Sequence, residues 1–162
     1  MSKPSTPIHT ENGQPILTLN RFLPYQLNHL AETVSRSFSK IYADQFGINI
    51  PEWRVVATLG EHQAMTARDI GKATSMHKTK VSRAVAGLET KGFLHRVPNP
   101  KDQREQNLQL SEHGIAMYEE LVPQAKAYSD RLYNTLTDDQ RAQLDDIFAR
   151  LKEAAKNEAK DT

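Results

Sequence analysis

The sequence predicts a mainly α-helical chain with one small β-hairpin, and three observations carry that prediction. Apolar residues recur at steps of three and four from Leu23 to Phe46 and again from Ile115 to Leu151, the spacing of long amphipathic helices. Three shorter helical stretches with their own stop and start signals lie between them. Only in "FLHRV" and "NLQL", between residues 93 and 110, does the sequence read as strand.

Taken in order, residues 1–20 read as a flexible arm, with three Pro, Gly13 and scattered Ser, Thr and Asn in the first fifteen positions. A long helix follows from Leu23, with Pro24 in its first turn and Leu27, Leu30, Val34, Phe38, Ile41, Tyr42 and Phe46 in its stripe, until Gly47 stops it. "INIPEWRVVATLGEH" starts a second helix, with Pro51 in its first turn and Trp53, Val56, Ala57 and Leu59 apolar. Thr66 caps a short third helix to about Thr74, with Asp69 as a weaker form of the capping box. The fourth, "SMHKTKVSRAVAGLETKG", takes Ser75 as its cap, buries Val81, Ala84, Val85 and Leu88, and ends at Gly92. Its other face carries Thr79, Ser82, Arg83 and Ala86, with Lys80 and Gly87 beside them. "PNPKDQREQ" then joins the two strands, too long for a two-residue turn and so a protruding loop. Ser111 caps a long helix with Pro123 inside it, Thr137 and Gln140 form a capping box for the last, and residues 155–162 lose their apolar positions and should fray.

Three helices and a hairpin over residues 49–110 form a winged helix-turn-helix, in which the third helix enters a DNA major groove and the wing reaches backbone or minor groove. The flanking segments, 21–48 and 111–154, have more apolar stripe than so small a domain can use, which predicts that two chains bury these faces against each other.

Charge distribution supports that reading. The net charge of +1 hides a basic middle: residues 64–110 hold nine basic side chains against four acidic, while residues 111–162 hold seven against eleven. Such asymmetry is expected where one segment faces a polyanion. Cysteine is absent, which excludes disulfides, thiolate metal sites and thiol switching. No run approaches the roughly 20 apolar residues of a membrane span, and the start lacks a secretory pattern, so a cytoplasmic protein without membrane partners is expected. There is no nucleophile elbow, phosphate loop, H-E-x-x-H or dinucleotide fingerprint, and the six histidines show no ligand spacing, so catalysis, a cofactor and a metal are not expected.

The DNA-facing candidates follow from chemistry. Arg83 can donate two hydrogen bonds to a guanine edge, and Lys78, Thr79 and Ser82 can contact phosphates or bases, with Ser75, His77 and Lys80 completing the helix start. Thr66 and the amides after it offer an anion site. In the wing, Lys101 and Arg104 can reach phosphate or the narrow minor groove, with Asp102 fixing the loop by pairing with Arg104 or accepting backbone amides.

"DQREQNLQLSEHG", with Asp102, Arg104, Leu108, Leu110, Ser111 and Gly114, resembles the wing signature of the MarR family, D-x-R-x-x-x-L-x-L-[ST]-x-x-G. "IPEWRVVATL" and "HKTKVSRAVAGLETKGFLHR" are similar to that family's second and recognition helices, and the likeness covers residues 20–153. It implies a homodimer on a palindromic double-stranded operator, repression of nearby genes and release by a small ligand. Residues 23–60 further resemble the branch serving aromatic catabolism, HcaR-like and hydroxycinnamate-responsive, which implies an aromatic acid or its coenzyme A thioester as effector. Family pockets lie between dimerisation helices and winged domain, which makes Tyr25, His29, Arg36, Phe38, Trp53 and Arg54 the ligand candidates. A regulator of stress or drug response, a metal-responsive one, and a helical interaction module without DNA binding stand as alternatives.

Overall fold

The computed structural model describes residues 8–100, 102 and 104–159. Its elements are β1 (Ile8–Glu11), β2 (Gln14–Leu17), a 3-10 turn (Leu19–Arg21), α1 (Leu23–Phe46), α2 (Ile50–His62), β3 (Ala64–Thr66), α3 (Ala67–Thr74), α4 (Lys78–Thr90), β4 (Leu94–Pro98), β5 (Gln106–Leu110), α5 (Glu112–Tyr133) and α6 (Asp138–Glu158). The expected class holds: mainly helical, with a small antiparallel sheet. Two compact units divide the chain, Met1–Glu119 and Glu120–Thr162.

In the first unit, α2, α3 and α4 pack around Val55, Val56, Leu59, Ile70, Val81, Val85 and Leu88, each at most 1% exposed. Gly47 ends α1 in the left-handed conformation at φ 63°, as its position predicts. Asn49 starts α2 through a full capping box: its side chain accepts the Glu52 amide and Glu52 accepts the Asn49 amide. The Tyr118 ring of α5 lies against Gly60 of α2, where no Cβ would fit.

The sheet has one strand more than the sequence shows. β3 pairs antiparallel with β5, giving the order β3-β5-β4, with Leu94 opposite Leu110 and Met65 opposite Leu108. A strand of three residues is too short for period-two alternation to register. At the other end of this sheet, Ser111 joins wing to helix. Its hydroxyl donates to the Gly92 carbonyl at 2.6 Å and accepts the Gly114 amide at 3.0 Å, and its own amide donates to the Phe93 carbonyl at 3.0 Å.

Four local expectations change. Residues 8–17, inside the expected flexible arm, form an antiparallel hairpin, with Asn12 and Gly13 at positive φ in its turn. Ser75 is not the start of α4: it is the left-handed C-cap of α3 at φ 54°, and the buried Met76 then pushes the next helix on to Lys78. Thr66 caps α3 by accepting the Asp69 amide, but the Asp69 carboxylate accepts from the Thr66 hydroxyl and does not return to its backbone, so no capping box closes. In the second unit, α6 begins at the expected Thr137–Gln140 capping box and continues to Glu158, past residue 155 where fraying is expected. Its first turn carries Asp138 and Asp139 and its last turn Lys156, charges that favour each end of the helix.

Candidate nucleic-acid interface

Helix α4 is two-faced by sequence and by structure. Val81, Ala84, Val85 and Leu88 are buried, while His77, Lys78, Thr79, Lys80, Ser82, Arg83 and Ala86 are exposed. His77 is the cap, its Nδ1 accepting the Thr79 amide at 3.4 Å. Gly87, expected beside the outer face, turns inward instead. A Cβ there would overlap Oε1 of the buried Glu52.

The basic residues of 64–110 separate into two sets. Four are held by the fold's own carboxylates. Arg68 pairs with Glu105 at 3.3 Å, Lys72 with Asp69 at 3.6 Å, Lys91 with Glu52 at 2.8 Å, and Arg96 forks onto Glu89 at 2.8 and 3.0 Å. Lys78, Lys80, Arg83 and Arg104 make no ion pair with any described residue. The positive charge left uncompensated thus concentrates on one face of α4 and in the wing loop, where it is available to an anion.

The wing is anchored at both edges. Arg96 ties β4 to α4 through Glu89, and Glu105 at the base of the loop ties back to α3 through Arg68. Between these anchors lies an open groove of about 940 Å³ lined by Arg68, Lys72, Ser75, His77, Lys78 and Ser82 among others. Asp102 plays the second of its two expected roles: its Oδ1 accepts the Arg104 amide at 2.9 Å and its carbonyl accepts the Glu105 amide at 3.1 Å. No Asp102–Arg104 ion pair forms among the described residues, so the carboxylate shapes the turn and leaves the guanidinium to point elsewhere. Lys101 lies outside the described residues.

Thr66 does not suit the anion role. It is 6% exposed, its hydroxyl is committed to Asp69, and that hydrogen bond, with Lys72 and Arg68 nearby, holds the Asp69 carboxyl below its usual range. The Asp69 carboxylate therefore already occupies the Thr66 hydroxyl proton at the start of α3.

The six ligand candidates fall into separate places. Tyr25 and His29 stack at 6.1 Å beside an open recess of about 490 Å³ on α1, with Leu30 and Thr33. Arg36 is exposed and paired with Glu32 one turn away. Phe38 and Trp53 meet at 5.6 Å, and Tyr42 stacks on Trp53 at 5.5 Å, making an aromatic cluster where α1 meets α2. Arg54 lines a recess of about 530 Å³ together with Thr79, Lys80 and Arg83. Neither of these two recesses gathers all six. Burial pushes the Tyr42 phenol up to about 12, partly opposed by the Arg54 charge and a hydrogen bond with Ser39. A phenol whose pKa is raised on folding contributes stability that is complete below pH 10 and lost as pH rises through 12. Urea denaturation at pH 8 and pH 11.5 should show the wild type losing about 2 kcal/mol more than Tyr42→Phe over that interval. Parallel losses would show that Tyr42 ionises as freely in the folded chain as in the unfolded one.

Glu52 is the residue that sequence reasoning passed over. The signal was present as Asn49-x-x-Glu52 before an apolar helix, the spacing of a capping box. Gly87 within a helix was a second signal, since an isolated helical glycine often marks a close approach.

Residues 48–106 match the MarR family. The chain is 28% identical over 114 residues to the transcriptional repressor MdtR of Bacillus subtilis, covering 70% of this chain and 74% of that one. It superposes on the crystal structure of a MarR/EmrR family regulator from Acinetobacter sp. ADP1 with a TM-score of 0.77 and 25% identity, over 86% of this chain and 98% of that one. The S. aureus MepR–DNA complex shares the fold at a TM-score of 0.74 and 20% identity, over 83% and 98% of the two chains. The first two of these similar proteins are named as transcriptional regulators.

Proposed function

With the MarR-family character of residues 48–106 as premise, we propose that the chain is a ligand-responsive, DNA-binding transcriptional repressor, acting in the cytoplasm as a homodimer on a palindromic double-stranded operator. The observation that carries this is the unpaired Lys78, Lys80 and Arg83 on the outer face of α4, beside a wing whose root is held by its own ion pairs. A helix so equipped fits a major groove about 12 Å wide, with Arg83 directed at base edges and the lysines at phosphates. Ser75, at the α3–α4 turn, and His77, at the helix cap, have backbone phosphate as their natural contact.

Dimerisation follows from exposed apolar surface in each unit. Leu23, Leu27 and Leu30 of α1 are 45%, 38% and 55% exposed, and in the second unit Leu132, Tyr133, Ile147 and Phe148 are 40% to 48% exposed. A second copy covering these faces gives two recognition helices, which reach successive major grooves when about 34 Å apart. No described helix is long and apolar enough to cross a membrane.

An aromatic acid or its coenzyme A thioester is the effector we assign, on the resemblance of residues 23–60 and on the aromatic groups at Tyr25 and at Phe38–Trp53; the names of the relatives do not extend to it. Release requires only that the effector favour a dimer whose helix spacing does not fit DNA.

The reading is tested on an operator selected from a random duplex pool. Arg83→Ala should weaken operator binding by about 1 to 3 kcal/mol and relax base preference at one position. Equal losses on operator and random duplex would reassign Arg83 to phosphate, and a wild type that retards neither would remove the DNA-binding role. A panel of phenolic acids and their thioesters, scored by melting shift and operator release, tests the effector. Silence in both columns rejects it.

A further inference from the structure

Three consecutive residues of α2 engage three different partners. Glu52 reaches the C-terminal half of α4, Trp53 joins the aromatic cluster with Phe38 and Tyr42 of α1, and Arg54 borders the recess at the start of α4. Glu52 is the directional one. It is 3% exposed; both its oxygens accept from Lys91 Nζ at 2.8 Å, and Oε2 also accepts the Asn49 amide at 2.8 Å. Gly87 presents bare backbone to Oε1, so the carboxylate sits closer to the α4 axis than any side chain there would allow.

Helices α2 and α4 pack on each other, and each buries aliphatic residues, Val55 and Leu59 on one and Ala84 and Leu88 on the other. Aliphatic surfaces fix distance well and rotation or sliding poorly, because the hydrophobic effect has no direction. A buried carboxylate with fixed donors has direction, and a buried ion pair is weak evidence for stability. We propose that Glu52 is a positioning residue for DNA recognition: clamped to Lys91 and seated on Gly87, it sets the rotation of α4, and therefore where Arg83 and Ser82 meet the bases. This inference rests on the DNA-binding reading above.

The test uses the full-length dimer and three variants: Glu52→Gln, which keeps shape and removes charge; Gly87→Ala, which displaces the same carboxylate and removes none; and Lys91→Met. Each should lower operator affinity about tenfold or more while random-duplex affinity stays within about twofold, collapsing the specific-to-nonspecific ratio. Glu52→Gln and Lys91→Met should combine non-additively, since they break one contact. Hydrogen exchange in the absence of DNA supplies an independent readout: amides of Lys78–Thr90 should lose protection in Glu52→Gln while those of α1 and α5 keep theirs. A merely structural role predicts a lower melting temperature with the ratio and the α4 protection pattern unchanged, and that result overturns the proposal. Wild-type protein that binds no duplex while Glu52→Gln still loosens α4 sinks the regulator reading and leaves the clamp standing.

Discussion

Gly114→Ala should destabilise the chain by about 3 kcal/mol or more, a larger loss than any surface substitution, because the new methyl has nowhere to go. Gly114 is buried in the first turn of α5, where its Cβ would overlap the Phe93 carbonyl oxygen and lie 2.9 Å from that carbonyl carbon and 3.3 Å from Leu110 Cβ. A flexible side chain could retreat. The Phe93 carbonyl cannot, because it already accepts the Ser111 amide at 3.0 Å and belongs to a residue 5% exposed at the start of the wing. Either α5 starts elsewhere or β4 shifts, and each option breaks the Ser111 hydrogen bonds that join helix to wing. A fall in melting temperature of roughly 6–12 °C is expected for a chain of this size. A fall below about 2 °C would mean the first turn of α5 can be rebuilt at little cost.

The second large effect is on binding. If Lys78, Lys80, Arg83 and Arg104 meet DNA in both copies, eight cations displace counterions, and operator affinity should fall about 10³-fold or more between roughly 50 and 200 mM salt. Lys78→Gln, present twice in a dimer, should flatten the log–log slope by about two units. Arg96→Gln should change it little, because Arg96 is already spent on Glu89. A slope near zero, or one that responds as strongly to Arg96 as to Lys78, would show that the division into paired and unpaired cations does not describe the interface.

Long-period signals were legible in the sequence, and short or three-dimensional ones were not. The stripes of α1, α5 and α6 and the Gly47 and Gly92 stops could be read because each repeats or punctuates a pattern along the chain. β3 could not: three residues carry no period, and its strand character comes from β5, more than forty residues away. Ser75 was misplaced because serine suits both ends of a short turn, and the choice was made by Met76, which must be buried before α4 can begin. On α4, residue type and helical period placed Lys78, Ser82 and Arg83 on the exposed face, where the structure has them. The Lys72–Asp69 pair has a helical spacing that the chain itself displays, but nothing along it could say that Lys91 would be neutralised by an acid 39 residues away, Arg68 by Glu105 or Arg96 by Glu89. The engagement of the Thr66 hydroxyl by Asp69 was hidden for the same reason, since only the folded turn defines its geometry.

The aromatic cluster has a practical consequence. Trp53 is the only tryptophan in the chain, and it stacks on Tyr42 and meets Phe38 edge-on where α1 joins α2. Its emission therefore originates at that single junction, with no second indole to dilute it. The protein carries a built-in optical probe: quenching or a spectral shift on adding a compound or a duplex would report, without any label, that the contact between α1 and α2 has changed.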